Sequence, residues 1–191
     1  MFSWGDFLKD EIIRPGSQDY DNDAVVHNET RTEALAVLDS LEVPKIIIGG
    51  FSMGAAAAAD AAVHFVQGRS HRRNVFLIML NGWLPPSSRE ALVASRGALK
   101  GVLVSHGKHD EQVHVDCGTQ TARWMREAAI EVEVRMDTAA SHAESGFGPG
   151  AAAAAKFIEQ AVTNRPSNRT GTTLAGAEDW GSTRKRRKDL V

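Results

Sequence analysis

The chain has 191 residues, 42% of them hydrophobic and 24% charged, with a formal net charge of −2. Those proportions suit one α/β domain with a sizeable core, and the balanced charge offers no global field for nucleic acid or a membrane surface. The single cysteine, Cys117, excludes an internal disulfide and fits a reducing compartment.

No apolar stretch reaches transmembrane length. The start, Met1-Phe2-Ser3-Trp4-Gly5-Asp6, lacks the basic and apolar regions of a signal peptide. A cytoplasmic location follows as the expectation, with the sequons Asn28-Glu29-Thr30 and Asn168-Arg169-Thr170 never meeting a glycosylation enzyme.

In chain order, residues 1 to 22 read as irregular and partly polar. From Ala24 to Leu41 the apolar positions Ala34, Leu35, Val37, Leu38 and Leu41 recur at helical spacing, with Asn28 as a plausible cap. Lys45-Ile46-Ile47-Ile48-Gly49 is a β-branched strand, and Ser52 to Val66 an alanine-dense helix whose small side chains let it lie close on a sheet. Asn74 to Leu80 is a near-continuous apolar strand of the kind buried on both faces of a parallel sheet. The loop Asn81-Gly82-Trp83-Leu84-Pro85-Pro86 leads to a short helix near Ser88–Ser95. Strands at Gly101–Ser105 and Glu131–Met136 follow, with helices near Cys117–Ala129 and Gly150–Val162. The alternation predicts an α/β fold: a parallel sheet of four strands with right-handed crossovers and helices on both faces. Residues 1–162 form that domain, and 163–191 read as a disordered tail, poor in apolar periodicity. The tail's basic run Arg184-Lys185-Arg186-Arg187-Lys188 is either a solvated charged segment or a nuclear import signal.

Between the first strand and its helix stands Gly50-Phe51-Ser52-Met53-Gly54. A β-branched run, a Gly-flanked serine and a small-residue helix together make a nucleophile elbow, in which the serine hydroxyl projects above the sheet edge at a helix N-terminus. The flanking glycines are expected because a Cβ at either position would collide with strand or helix. A serine hydroxyl needs a histidine to take its proton, and that histidine needs a carboxylate to fix its tautomer. In sheets of this type the order is Ser, acid, His, with the partners on loops after later strands. Of the seven histidines, only His142 follows the last strand, and Asp110 lies just past the third, so they are the expected base and orienting acid. Asp116 and Asp137 are the competing carboxylates. A metal site at His106, His109, Asp110 and His114 does not fit the spacing of ligands on a helix, so neither metal nor cofactor is expected.

These segments resemble the acyl-protein thioesterase and carboxylesterase (phospholipase/carboxylesterase) family of α/β-hydrolases. Ile46 to Ala55 resembles the family elbow, with Met53 where Gln is usual, and Asn81-Gly82-Trp83-Leu84-Pro85 is similar to its Ser-Gly-Trp/Tyr-Leu-Pro loop. Val104 to Asp110 resembles its His-Gly-x-x-Asp segment, with Glu111 where Pro usually follows the acid, and Phe2 to Phe7 resembles its Ser-Trp-Phe-Asp stretch. The resemblance implies a serine hydrolase of carboxylic esters or thioesters, S-palmitoyl protein cysteines among them. It also implies an oxyanion donor in the Met53 N–H and substrate contacts from Trp83 and Leu84. The family's N-terminal strands and its His-Gly-x-Gly oxyanion loop have no counterpart in this sequence, which makes Lys45–Gly49 an expected open edge and the oxyanion site expectedly incomplete. The alternative of another class is an inactive hydrolase-like fragment that binds acyl chains or a protein partner.

Overall fold

The computed structural model describes residues 12–22, 26–67 and 73–163. The Ser3-Trp4 segment, His71 and the basic run of the tail lie outside the described residues.

The elements alternate through most of the chain. They run α1 (Asn28–Ser40), β1 (Lys45–Phe51), α2 (Met53–Val66) and β2 (Asn74–Leu80); then a 3-10 turn (Pro86–Ser88), α3 (Arg89–Ala94) and β3 (Leu99–Gly107); then α4 (Val115–Glu127), β4 (Val132–Asp137), α5 (His142–Phe147) and α6 (Pro149–Thr163). The four strands lie in the order β1-β2-β3-β4 and every pairing is parallel. Among the described residues β1 therefore pairs on one side only. This is the expected four-stranded α/β sheet of a partial α/β-hydrolase fold.

Period-two alternation divides the strand side chains between two layers. Ile46, Val75, Leu77, Met79, Val102 and Val104 face α2, α3 and α4 in the main core. Ile78 and Leu103, with Ile47, Phe76 and Leu80 at their margins, face Phe157, Ala153 and Ala154 of α6. The register slips by one residue between Val75 and Phe76, which pair with Leu99 and Gly101 and leave Lys100 as the exposed bulge. That bulge is why β3 starts earlier than its apolar pattern indicates.

α2 is buried along almost its whole length because the sheet covers one side and α1 part of another. Its small side chains make this possible, and Ala55, Ala59 and Ala62 are inaccessible to solvent. Inside it sits the fully buried Asp60. Arg31 of α1 grips both oxygens of that carboxylate at 2.6 and 2.9 Å, and Ser88 Oγ and His64 approach from other sides. Asn28 does not cap α1 with its side chain. His27 is the N-cap residue, and the Asn28 amide oxygen accepts from Arg31 instead. At the other end of the sheet, Lys45 Nζ donates to the last carbonyls of α6, Ala161 and Val162, at 2.7 and 2.8 Å. A cation there satisfies orphan carbonyls and opposes the negative end of the helix dipole.

The Asp60 cluster has a testable pH signature. Burial pushes the Asp60 carboxyl up, but hydrogen bonds from His64, Arg31 and Ser88 outweigh it and hold the group below its ordinary value. A depressed folded value means that the stabilisation is present above the ordinary carboxylate range and is lost as pH falls through it. Arg31→Met should lower stability by roughly 3 kcal/mol at neutral pH, since it strips the main partner from a buried charge. In urea unfolding followed from pH 7 to pH 3, the gap between wild type and variant should shrink. A gap that stays constant would show that Asp60 is not ionised in the folded protein.

Candidate active site

The parallel register brings the C-terminal ends of all four strands to one edge, where the loops carrying Ser52, Asp110 and His142 gather. Ser52 follows β1 directly. Its N–H donates to Leu80 O at 2.9 Å, extending the β1–β2 ladder by one residue, and its own C=O accepts from Ala55 N at 2.9 Å as the first bond of α2. One residue thus ends a strand and opens a helix. Its φ of 55° and ψ of −128° are a conformation that a residue with a Cβ seldom adopts. The side chain is half-buried, and Ser52 Oγ makes no hydrogen bond among the described residues.

The two elbow glycines are not equivalent. A Cβ on Gly50 would lie 2.2 Å from Gly54 O, so the turn closes only with glycine there. A Cβ on Gly54 would meet nothing within 4 Å, which overturns the expectation of a clash on that side. A third glycine was not foreseen: a Cβ on Gly82 would sit 2.4 Å from Ala55 Cβ and 2.8 Å from Ser52 O, so this glycine lets the loop after β2 lie against the elbow. Met53 is the first residue of α2, and its N–H has no acceptor within the helix.

Asp110 lies in the loop after β3 and is buried. Its Oδ1 accepts the N–H groups of Gln112 and Val113 at 2.9 and 2.8 Å, which turns the loop around the carboxylate. Its Oδ2 lies 2.7 Å from His142 Nδ1 and 3.4 Å from His106 Nε2. His106 Nε2 is also 2.8 Å from Val113 O, an atom that can only accept, so this nitrogen carries the proton. Burial raises the Asp110 carboxyl, but the bonds from His106, His142, Val113 and Gln112 prevail and hold it far below the usual carboxylate range. It is ionised at any pH near neutrality.

His142 was expected on a loop; instead it is the first residue of α5 and is 3% exposed. The N-terminus of α5 is held by Glu144, whose carboxylate accepts from Ser141 N–H and Oγ at 3.0 and 2.7 Å. Asp137 accepts the N–H groups of Ala139 and Ala140, so it organises the approach to His142 rather than pairing with the ring. Asp116 is largely exposed beside His114. Of the three carboxylates weighed, Asp110 is the one that hydrogen-bonds His142. The His142 ring also rests 4.7 Å from that of Phe51, the residue before Ser52, and Phe51 in turn meets the exposed ring of Phe147 at 5.1 Å. Phe51 needs Gly146 beside it, since a Cβ there would fall 2.2 Å from the ring.

Trp83 and Leu84 are fully buried. Trp83 packs with Ile13, Tyr20, Val26, Ala57 and Cys117, and Leu84 belongs to the main core with its N–H on Thr121 Oγ1. Neither offers surface to a substrate, and both brace the loop after β2 from below. Among the described residues no three His, Cys, Asp or Glu side chains converge as a metal-ligand set.

Residues 17–162 match the sequence model of the phospholipase/carboxylesterase family. The chain belongs to that family. Its fold is similar to that of a point variant of SOBER1 from Arabidopsis thaliana, with a TM-score of 0.67 at 20% identity over 84% of this chain and 74% of that one. SOBER1 without the substitution aligns with a TM-score of 0.62 at 21% identity, over 85% and 73%. Acyl-protein thioesterase 2 from Zea mays aligns with a TM-score of 0.53 at 20% identity, over 69% of this chain and 63% of that one. At such identities the likeness concerns the fold. No curated protein matches the sequence. The family makes the chain hydrolase-like, of the phospholipase/carboxylesterase kind.

The unequal glycines predict unequal variants. Gly50→Ala should cost about 1–3 kcal/mol or more, because backbone must move to admit the methyl group. Gly54→Ala should change stability by no more than about 0.5–1 kcal/mol, in the stabilising direction, through helix propensity. Denaturant midpoints of the two variants test this, and equal losses would contradict it.

Proposed function

We propose that this chain hydrolyses carboxylic esters or thioesters, S-acyl protein cysteines among them, with Ser52 as nucleophile, His142 as general base and acid, and Asp110 as its orienting carboxylate. One observation carries the reading: a buried, ionised Asp110 holds His142 Nδ1 at 2.7 Å, on the same sheet edge as a serine in a strained elbow.

The chemistry follows from those positions. With Nδ1–H held by Asp110, the other ring nitrogen, Nε2, is the basic one. It takes the Ser52 hydroxyl proton as Oγ attacks the acyl carbon. Negative charge then gathers on the carbonyl oxygen, where the Met53 N–H at the start of α2 is the donor within the described residues. The imidazolium gives its proton to the departing alcohol or thiol, leaving an acyl group on Ser52. Water repeats the sequence in reverse roles and releases the acid. Asp110 keeps its charge throughout and stabilises the imidazolium. The aromatic surface of Phe51 and the exposed Phe147 beside the base suits an apolar acyl group better than a charged one. Among the described residues no helix is long and apolar enough to cross a membrane.

The alternative, a binding module without turnover, is separated by a fluorophosphonate probe. The probe should label the wild-type chain, and Ser52→Ala should abolish labelling. Labelling that persists in the variant would remove Ser52 from its role, and a folded wild type that resists the probe would favour the binding module.

Asp110→Asn should lower turnover of p-nitrophenyl esters by about 10³–10⁴-fold. His142→Ala should lower it comparably and should also cost about 1–3 kcal/mol, because the buried Asp110 loses a charge-assisted partner. A silent His142→Ala with a large effect at His109 or His114 would reassign the base.

A further inference from the structure

Beyond the three residues of the reaction, the main chain of the base is itself held from both sides. The His142 C=O accepts from Asn81 Nδ2 at 2.5 Å, and the His142 N–H donates to Glu111 Oε2 at 3.1 Å. Asn81 stands at the end of β2 and Glu111 in the loop after β3, so two neighbouring strand ends grip the residue that follows the fourth strand.

Asn81 is fully buried and adopts a φ of 49°, a region that Asn and Asp tolerate better than other side chains. Its own N–H donates to Ser105 O at 2.9 Å, which continues the β2–β3 ladder. Its Oδ1 accepts from Gly107 N at 3.2 Å and from Ser145 Oγ. One amide therefore spans the last residue of β3, from which the Asp110 loop springs, and two residues of α5. Gly107 must lack a Cβ for this approach, because a methyl group there would lie 2.3 Å from Ala140 O. Glu111 directly follows the acid in the chain, and its carboxylate accepts from the His142 N–H.

We infer that Asn81 and Glu111 are positioning residues that fix the His142 ring against Asp110 and toward Ser52 by clamping the His142 backbone. The inference rests on the hydrolase reading for its kinetic consequence, but the clamp itself does not. The imidazole has few rotatable bonds between its ring and the clamped peptide, so a shift of the peptide becomes a shift of Nε2. A displacement of about 1 Å at a reacting group can cost 10²-fold in rate.

The test uses the full chain and two readouts. The first is the proton NMR signal of His142 Nδ1–H in its bond to Asp110, which needs no turnover. The second is kcat and KM for a p-nitrophenyl ester. Asn81→Gly removes the clamp while relieving any backbone strain at positive φ, and Asn81→Asp keeps the acceptor for Gly107 and Ser145 but turns an oxygen toward His142 C=O. Glu111→Ala opens the other side from an exposed position, so it serves if the Asn81 variants do not fold.

In each variant the Nδ1–H proton should exchange with water at least about tenfold faster, and kcat should fall about 10- to 100-fold with KM little changed. Glu111→Gln, which keeps an acceptor, should recover most of the loss. An Nδ1–H signal unchanged by Asn81→Gly and Glu111→Ala would overturn the inference, as would a loss in melting temperature alone. A wild type without turnover but with a clamp-dependent Nδ1–H signal would sink the hydrolase reading and leave the clamp standing.

Discussion

Each residue of the proposed site lies past the C-terminal end of a strand, and the parallel register is what makes that location common to all of them. Ser52 follows β1, Asn81 follows β2, Asp110 follows β3 and His142 follows β4. Residues distant in sequence become neighbours without any long excursion of the chain, because each connection through a helix returns the next strand in the same direction. Four of the hydrogen bonds at the site (Asp110–His142, Asn81–His142, Glu111–His142 and Asn81–Gly107) join residues at or beyond the ends of different strands. Their geometry is inherited from the sheet. A change in strand register would misplace all of them together.

The site also distributes its charge with economy. Asp110 is surrounded by two backbone N–H groups and two imidazoles, so its negative charge is answered wholly by fixed donors. Asp60, another buried carboxylate, is answered by a guanidinium, a hydroxyl and an imidazole. The two environments differ in what they leave open. Around Asp60 the partners include a guanidinium, which also reaches Asn28. Around Asp110 the His142 ring is held through Nδ1, and under the proposed function its second nitrogen, Nε2, is the one that exchanges a proton with Ser52.

Much of this could be read from the residues alone. Strands were visible because Ile46–Ile48, Val75–Leu80 and Val102–Val104 are apolar on both faces, the mark of a covered parallel sheet. Ser52, Asp110 and His142 were visible because their chain order and strand-end positions are constrained by that same topology. α5 escaped because it is six residues long and contains Gly146, although the Ser141-His142-Ala143-Glu144 spacing, Ser at the cap and Glu three residues on, was a signal available in the sequence. Lys100 hid the start of β3 because a bulge breaks the alternation. The roles of Asn81 and Glu111 had no local signature at all. They are contacts made between segments that follow separate strands, and only the assembled sheet creates them. Gly54 misled for the opposite reason: the motif contains a glycine there, yet the packing leaves the space beside it empty.

The bond from Lys45 to the end of α6 has a practical meaning for anyone handling the protein. It joins the first residue of β1 to Ala161 and Val162, so the described domain closes on itself at the N-terminal edge of the sheet. A seven-residue strand is roughly 20 Å long, and the whole of β1 separates that edge from Ser52. Thr163, the last described residue of α6, therefore lies at the opposite end of the sheet from Ser52. A dye or a fused reporter attached at Thr163 itself would sit at that far end, opposite the edge that carries Ser52, Asp110 and His142.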